Sequence, residues 1–500
     1  MNKRLDGITT EVLIIGAGIV GLTLCALLEK LGVACLILEK NTEPTTSPGA
    51  VSISDETQRI WQAAGVLSEL KPFILDTEEG NPIARYYNRS GETIFEIKQP
   101  SARMGYAPGA TILLREIEIR MRDLFRNKIL AGRSLSFLEQ TDSGLRAFCQ
   151  DRTGNVYRIE ASYLVGCDGR GGVTAGLAGI EKESGGKFGK WLVADVSEKG
   201  RKALEVGAEF MKHPSPAVTV PLPEGERRWE ILLNGQDKDE FSEQEVAEKI
   251  HGIRPGEFDR IHRYSVFQFS TVQARNLRKG RVFLAGDAAG LMPPFAGMGM
   301  VTGLGEAYNL AWKLAARIKD NFPDSLLDSY DTERKPFRKK ITRLSSMLGM
   351  VVQPGKLNSL LQVDFLLKSL SRSALAKKIE LRGMNTGTAY ATGFFSGEAP
   401  GGEIFIQPRV RKATGEITLL DEIGGNRFRN LSFSGSSPES VFKPESPIDP
   451  FPLKIMPAGT FPLEQEEVED LDNTLSVWRK TNGVQNEIVL RPDQIIYETS

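Results

Sequence analysis

Residues 11–39, EVLIIGAGIVGLTLCALLEKLGVACLILE, constrain this chain more than any other stretch. The run EVLII is apolar and rich in branched residues, as a strand buried on both faces of a parallel sheet must be. GAGIVG follows at 16–21, then an apolar pattern with helical spacing, then a second strand-like run, ACLILE. In such a strand–turn–helix–strand unit, Gly16 lets the chain turn sharply and Gly18 lets a pyrophosphate approach the backbone. Gly21 lets helix and strand pack closely. The helix N-terminus offers unpaired N–H groups and partial positive charge to phosphates. Glu39 ends the second strand, where a carboxylate can accept hydrogen bonds from ribose hydroxyls and would repel a 2′-phosphate. The unit therefore suits FAD or NAD rather than NADP. A glycine turn that only packs a helix on a strand is the bland alternative.

The segment 281–315, RVFLAGDAAGLMPPFAGMGMVTGLGEAYNLAWKLA, chooses between the two dinucleotides. A strand stops at Asp287, whose carboxylate can accept hydrogen bonds from a polyol such as a ribityl chain. Pro293 and Pro294 stiffen the backbone and remove two donors, making a rigid wall. Gly297 and Gly299 let the main chain lie against a flat ring, and the helix beyond aims its amides there. A reduced flavin carries negative charge near N1 and C2=O, which such a terminus stabilises. Simple packing accounts for Leu304, Ala307, Leu310, Ala311 and Leu314, but not for Asp287 followed by PPFAGMG.

At 500 residues the chain is too long for one core, so two or three domains are expected. With 63 basic against 64 acidic residues there is no concentrated positive field for nucleic acid or an anionic membrane. The four cysteines form no C-x-x-C pair and there are three histidines, so no metal site is expected. The start is polar, without a signal-like apolar region, and Glu29-Lys30 and glycines interrupt the apolar stretch 11–38. The reading is a cytoplasmic, reduced protein with no membrane span.

Several further segments extend the pattern: SYLVGCDGRGG at 162–172, VTVPLPEGERRWEILL at 218–233, GRVFLAGDAAGLMPPFAGMGM at 280–300, NLAWKLA at 309–315 and LLDSYDTERKP at 326–336. With GAGIVG they resemble, in order and over most of the chain, the single-component FAD-dependent aromatic hydroxylases of the para-hydroxybenzoate hydroxylase type. The branch of 3-(3-hydroxyphenyl)propionate hydroxylases and polyketide or phenol hydroxylases is the most similar. The resemblance implies that Gly16, Gly18, Gly21 and Glu39 hold ADP-ribose, and that Asp168 braces the FAD region and is tied to nicotinamide cofactor use. It also implies that Asp287 binds the ribityl and pyrophosphate region. Pro294 and the backbone from Gly297 through Gly299 to Met300 would line the isoalloxazine and the oxygen pocket, with no acid–base residue identified.

The implied reaction is hydroxylation of a phenolic or polycyclic aromatic substrate with O2 through a flavin C4a-hydroperoxide, with NAD(P)H a transient co-substrate. The implied architecture is α/β: a Rossmann-like FAD-binding domain with an inserted β-sheet substrate domain and a C-terminal thioredoxin-like domain. The FAD domain is expected at 1–75, 100–190 and 275–340, and the substrate sheet at 76–99 and 191–274. A helical segment is expected at 341–395, and the thioredoxin-like tail, which has no cysteine, at 396–500. That tail cannot run dithiol chemistry and is expected to pack or to oligomerise, a homodimer being one arrangement.

The chain departs from the family pattern at Gly49, Gly171, Gly172, Gly290, Met298, Val301 and Glu306. Backbone contacts survive such changes, whereas side-chain roles do not carry over. Arg115 and Arg122 are expected on a helix near the flavin edge. Trp229 and Tyr264 are either cavity lining or sheet core; Met292 and Met298 are either pocket lining or packing. His213, His251 and His262 read as surface residues. A halogenase- or reductase-like oxidoreductase and a non-enzymatic FAD-binding protein are the alternatives. No tryptophan sits in the W-x-W-x-I-P stretch of halogenases, and flavin-dependent NADPH consumption would separate an enzyme from a scaffold.

Overall fold

The computed structural model describes residues 7–499 apart from 79, 88–90, 99–101, 199–207, 212–214, 236, 255–257, 353–387, 397–399 and 434–448. The strand Ile8–Ile15 lies between Val156–Gly166 and Cys35–Glu39, parallel to both. Val282–Leu284 and Ile129–Ala131 extend this sheet on either side, again in parallel. An antiparallel hairpin, Arg133–Gln140 and Leu145–Asp151, and the edge strand Arg278–Lys279 beside Val282–Leu284 complete its eight strands. Helix Ile19–Lys30 crosses between the first two strands and is buried from Gly21 to Leu28, because helix Gly299–Lys319 covers its outer side.

A second eight-stranded sheet runs in the order Gly290–Leu291, Arg260–Ala274, Lys182–Ser197, Glu226–Leu232, Ala217–Pro221, Ala208–Met211, Ala84–Tyr87 and Thr93–Ile97. Its central strand begins at Lys182, so the border expected at 190 falls inside one strand. The short edge strand Gly290–Leu291 comes from the segment after Asp287 and pairs with Val272–Gln273. The two sheets are thus joined at this turn. Side chains alternate across the sheet: Leu192, Ala194 and Val196 pack under helix Glu243–His251, while Trp191 and Val193 face Phe295.

Helix Ser325–Val352 packs on Gly299–Lys319. The rest of the helical segment expected at 341–395 lies mostly outside the described residues. Beyond it a seven-stranded sheet is ordered Ile417–Leu419, Arg409–Lys412, Glu467–Asp470, Phe451–Met456, Arg429–Phe433, Glu487–Leu490, Ile496–Thr499. It docks on the first unit through buried polar contacts: Arg59 Nε lies 2.5 Å from Asp421, and Arg491 Nη1 2.9 Å from Glu333. No described helix is long and apolar enough to cross a membrane.

Candidate active site

The first glycine loop is shaped by close backbone packing. A Cβ on Gly16, whose φ is +106°, would stand 2.4 Å from the Cys167 carbonyl oxygen. One on Gly21 would stand 2.1 Å from the Gly16 carbonyl oxygen. Gly18 is different, since its nearest neighbour would be Glu118 Oε1 at 3.6 Å, an ordinary contact. Its side of the loop is open.

Glu39 is buried and accepts hydrogen bonds from the amides of Ala17 (2.7 Å) and Asn41 (2.8 Å). Glu118 accepts the Ile19 amide at 3.0 Å. Burial raises the Glu118 carboxyl, against the pull of that amide and of Arg122. Two carboxylates therefore already meet the positive end of helix Ile19–Lys30. Sequence reading singled out Glu39 for ribose hydroxyls rather than for these amides, and passed over Glu118. Arg122 Nε donates to Ala17 O at 3.2 Å, and Arg115 lines an adjoining pocket with Ser47, Gly49, Glu118, Arg228 and Arg263. Arg115 and Arg122 of helix Leu114–Leu124 thus lie by this loop.

Asp168 follows the central strand. Its Oδ2 accepts from the Thr174 amide (2.9 Å) and hydroxyl (2.8 Å), whereas Oδ1 is buried without a partner among the described residues. A Cβ on Gly172 would lie 2.2 Å from that same oxygen, so Asp168 itself enforces glycine there; Gly171 has open space. Asp287 sits in the single turn Gly286–Ala288 with its side chain exposed. Surrounding protein nevertheless raises its carboxyl, with Arg338, Arg170 and Lys182 pulling the other way. Lys182 is lowered by burial and supported by Asp168 and Asp287, so it stands in the field of both carboxylates.

Beneath Asp287 is a buried bracket that the sequence did not announce. Arg338 holds Glu306 through Nε and Nη2, both at 2.8 Å, and donates to the carbonyls of Gly290 and Gly286, both at 2.7 Å. Glu306 in turn accepts the Gly286 amide at 2.8 Å. Glu306 stands where the family commonly has aspartate, and here its length spans the gap to Gly286. Gly290 also has a local cause: a Cβ there would lie 2.4 Å from Val272 O, so the paired edge strand excludes the histidine common in the family.

Pro293 is extended, Pro294–Ala296 form one tight turn, and Gly297 takes φ +65° with its amide on Pro294 O at 2.7 Å. That left-handed backbone is where glycine is needed. Helix Gly299–Lys319 then starts at Met298 with no side-chain cap, leaving its first amides to be satisfied from outside. A Cβ on Gly299 would make only an ordinary contact with Met292, at 3.7 Å. Gly303, which sequence reading passed over, has no such room: its Cβ would lie 2.9 Å from both Gly286 Cα and Val20. Met300 packs on the main core and Val301 is buried. Met292 and Met298 pack with Phe337, Ile341, Tyr390 and Ile495, a core role.

At Gly49, a Cβ would meet Leu114 at 2.7 Å, while Arg228 donates to the Gly49 carbonyl at 2.8 Å. Arg228 is itself held by buried Asp195, as is Arg263 at 2.5 Å. Trp229 and Tyr264 belong to the cluster under helix Glu243–His251, on the face turned away from Phe295. His251 lies against Phe258, and His262 Nε2 is 2.6 Å from Ser197 Oγ. His213 lies outside the described residues.

These residues fit FAD. Gly18 has an open face, Asp168 Oδ1 lacks a partner among the described residues, Asp287 is exposed, and the helix behind Pro294–Gly297 has no side-chain cap. The chain matches the model of the FAD binding domain family over residues 9–345, and of the HcaD C-terminal domain over 402–500. It belongs to the FAD-binding family, among the FAD-dependent aromatic hydroxylases. It is 30% identical over 447 residues to the 3-(3-hydroxy-phenyl)propionate/3-hydroxycinnamic acid hydroxylase of Mycobacterium sp. (strain JLS), covering 86% of this chain and 77% of that protein. The protein of the same name from Comamonas testosteroni is 27% identical, with 97% and 93% covered. Among solved structures, the flavin-dependent monooxygenase PieE with FAD and substrate superposes with TM-score 0.81 at 18% identity, covering 98% of this chain and 96% of PieE. Aklavinone-11 hydroxylase with FAD and aklavinone gives 0.77 at 20%, covering 100% and 96%.

Proposed function

We propose that this protein hydroxylates a phenolic or polycyclic aromatic compound with O2, using FAD reduced by NAD(P)H. The observation that carries the reading is the uncapped helix Gly299–Lys319, entered through the rigid turn at Pro294–Gly297 and roofed by an aromatic sheet face. Gly16, Gly18 and Gly21 would bring backbone to the ADP portion, with Glu39 orienting the loop through Ala17. Asp287 would accept hydrogen bonds from hydroxyls of the ribityl chain beside the pyrophosphate, and Asp168 would brace the FAD region. Pro294, Gly297, Gly299 and Met300 would form the wall beside the flavin and the oxygen pocket. FAD, when bound, supplies the electron transfer and oxygen activation. The protein's part is positioning, dry packing and charge: the first amides of Gly299–Lys319 would face the bound group and favour negative charge there. The relatives' printed names and the roof of Trp191, Phe267, Phe269 and Phe295 support an aromatic substrate.

The C-terminal sheet supports a thioredoxin-like reading in its strand order. Arg429–Phe433 is parallel to Phe451–Met456 and antiparallel to Glu487–Leu490, which is antiparallel to Ile496–Thr499. With no cysteine in it, packing against the flavin unit is its role.

The test is direct. Purified protein should be yellow, and NAD(P)H oxidation should rise when a phenol is added, with a product one oxygen heavier. Asp287→Ala should lose FAD while remaining folded. A colourless protein that refuses FAD, or a flavoprotein that no phenol stimulates, would overturn the reading.

A further inference from the structure

The roof over Pro294–Gly297 contains one polar group with no use in the fold. Trp191, only 1% exposed, is the central tryptophan of strand Lys182–Ser197, and its indole Nε1–H is buried without an acceptor among the described residues. An indole N–H is a donor only, and leaving it buried and unpaired is unfavourable. Aromatic rings pack about it. The ring lies 5.8 Å from Phe295, which also meets Phe188 at 5.6 Å and Phe269 at 6.4 Å. Phe267 pairs with Trp191 across the strands and stacks along Phe269. Phe295 is half buried and is the member of this group carried by the Pro294–Ala296 turn.

We infer that Trp191 is a substrate-positioning residue: its Nε1–H donates to the ring oxygen of a hydroxylated aromatic substrate whose ring packs beside Phe295. The inference rests on the hydroxylase reading above. A neutral donor suits the chemistry, because it stabilises negative charge on a phenolic oxygen without handing over a full proton. The ring therefore keeps the electron density that attack by activated oxygen requires. A single donor among aromatic rings sets which edge of a flat substrate ring enters first.

The experiment uses the FAD-loaded protein and two matched pairs of probes: 3-(3-hydroxyphenyl)propionate with 3-phenylpropionate, and 2-naphthol with naphthalene. Affinities are read from the change in flavin absorbance. Trp191→Phe should weaken the hydroxylated member of a pair about tenfold and its partner by less than twofold, which is the scale of losing one buried hydrogen bond. Equal losses within each pair, or no loss, would overturn the inference. Should the variant fold poorly, wild-type protein with 15N-labelled indoles gives a second reading among its five tryptophans. One indole N–H resonance should move strongly with the hydroxylated probe and stay with its partner; no such resonance overturns the inference. If phenols stimulate NAD(P)H oxidation while these tests fail, only Trp191 is misassigned. If no phenol binds or stimulates, the hydroxylase reading falls with it.

Discussion

The loop Gly16–Gly21 and the turn Gly286–Gly290 both follow strands of the same parallel sheet, yet they are held in opposite ways. The loop is held by what is absent: no Cβ fits on Gly16 or Gly21, so strand, loop and helix touch directly. The turn is held by what is added: two charged side chains from two helices, Glu306 and Arg338, fasten its amide and carbonyls from below. Steric closeness of this kind is local and costs little to maintain. A buried ion pair depends on both partners and on every hydrogen bond around them. The two regions should therefore fail differently.

The largest effect is expected at the turn. Arg338→Met leaves Glu306 buried, charged and unpaired and strips two carbonyls of donors, at a cost of about 4 kcal/mol. Urea unfolding would read this, and Arg338→Lys should recover part of it. A loss below about 1 kcal/mol would mean that the bracket holds nothing.

The second charged site sharpens the contrast because it is tied to pH. Burial alone would raise the Glu333 carboxyl, but Arg491 and Lys313 reverse that and hold it well below the usual range. Lys313, for its part, is pulled down to about 8 by burial against the support of Glu333. A carboxyl whose folded pKa is depressed stabilises the fold above its unfolded value, near about 4.3, and that support is lost as pH falls. Glu333→Gln should cost about 3 kcal/mol at pH 7, since Lys313 and Arg491 lose their shared partner. It should also flatten the decline of wild-type stability below about pH 4.3. Melting curves across pH 3–8 would decide; a variant with the wild-type slope removes Glu333 from the account.

These charged groups explain what could be read in advance. The strand–loop–helix–strand and the segment from Asp287 to Met300 were legible because their determinants are neighbours in the chain. Glu333 and Arg491 are 158 residues apart, and Glu306 and Arg338 are 32 apart. Nothing within either helix says that those charges point inward, since charged residues on a helix ordinarily mark its solvent face. The sheet shows a related limit. A strand carrying Trp229 has two faces, and its sequence does not say which one meets the flavin turn. Trp229 lies on the far one, and Trp191, on the near one, went unnoticed. Gly303 and Glu118 were missed for the same reason, because each matters only through a partner distant in sequence.

Within the loop itself the comparison narrows to two glycines. Gly21→Ala should cost about 2 kcal/mol, since a methyl group cannot occupy a place 2.1 Å from a backbone oxygen without moving helix or strand. Calorimetry of the FAD-free protein is the measurement, and an unchanged melting point would mean the helix shifts freely.

The smallest effect on stability is expected at Gly18. Its φ of −82° suits any residue and a Cβ there finds its nearest neighbour at 3.6 Å, so Gly18→Ala should stay within about 0.5 kcal/mol of wild type. The same methyl group would stand on the open side of the loop, where a pyrophosphate must come close to the main chain. FAD affinity should fall at least tenfold while the melting curve of the FAD-free protein is unmoved. Titrating FAD against the FAD-free forms of both variants separates the two roles. If Gly18→Ala bound FAD as tightly as wild type, the ligand would have to approach the loop from elsewhere, and the open face at Gly18 would need another explanation.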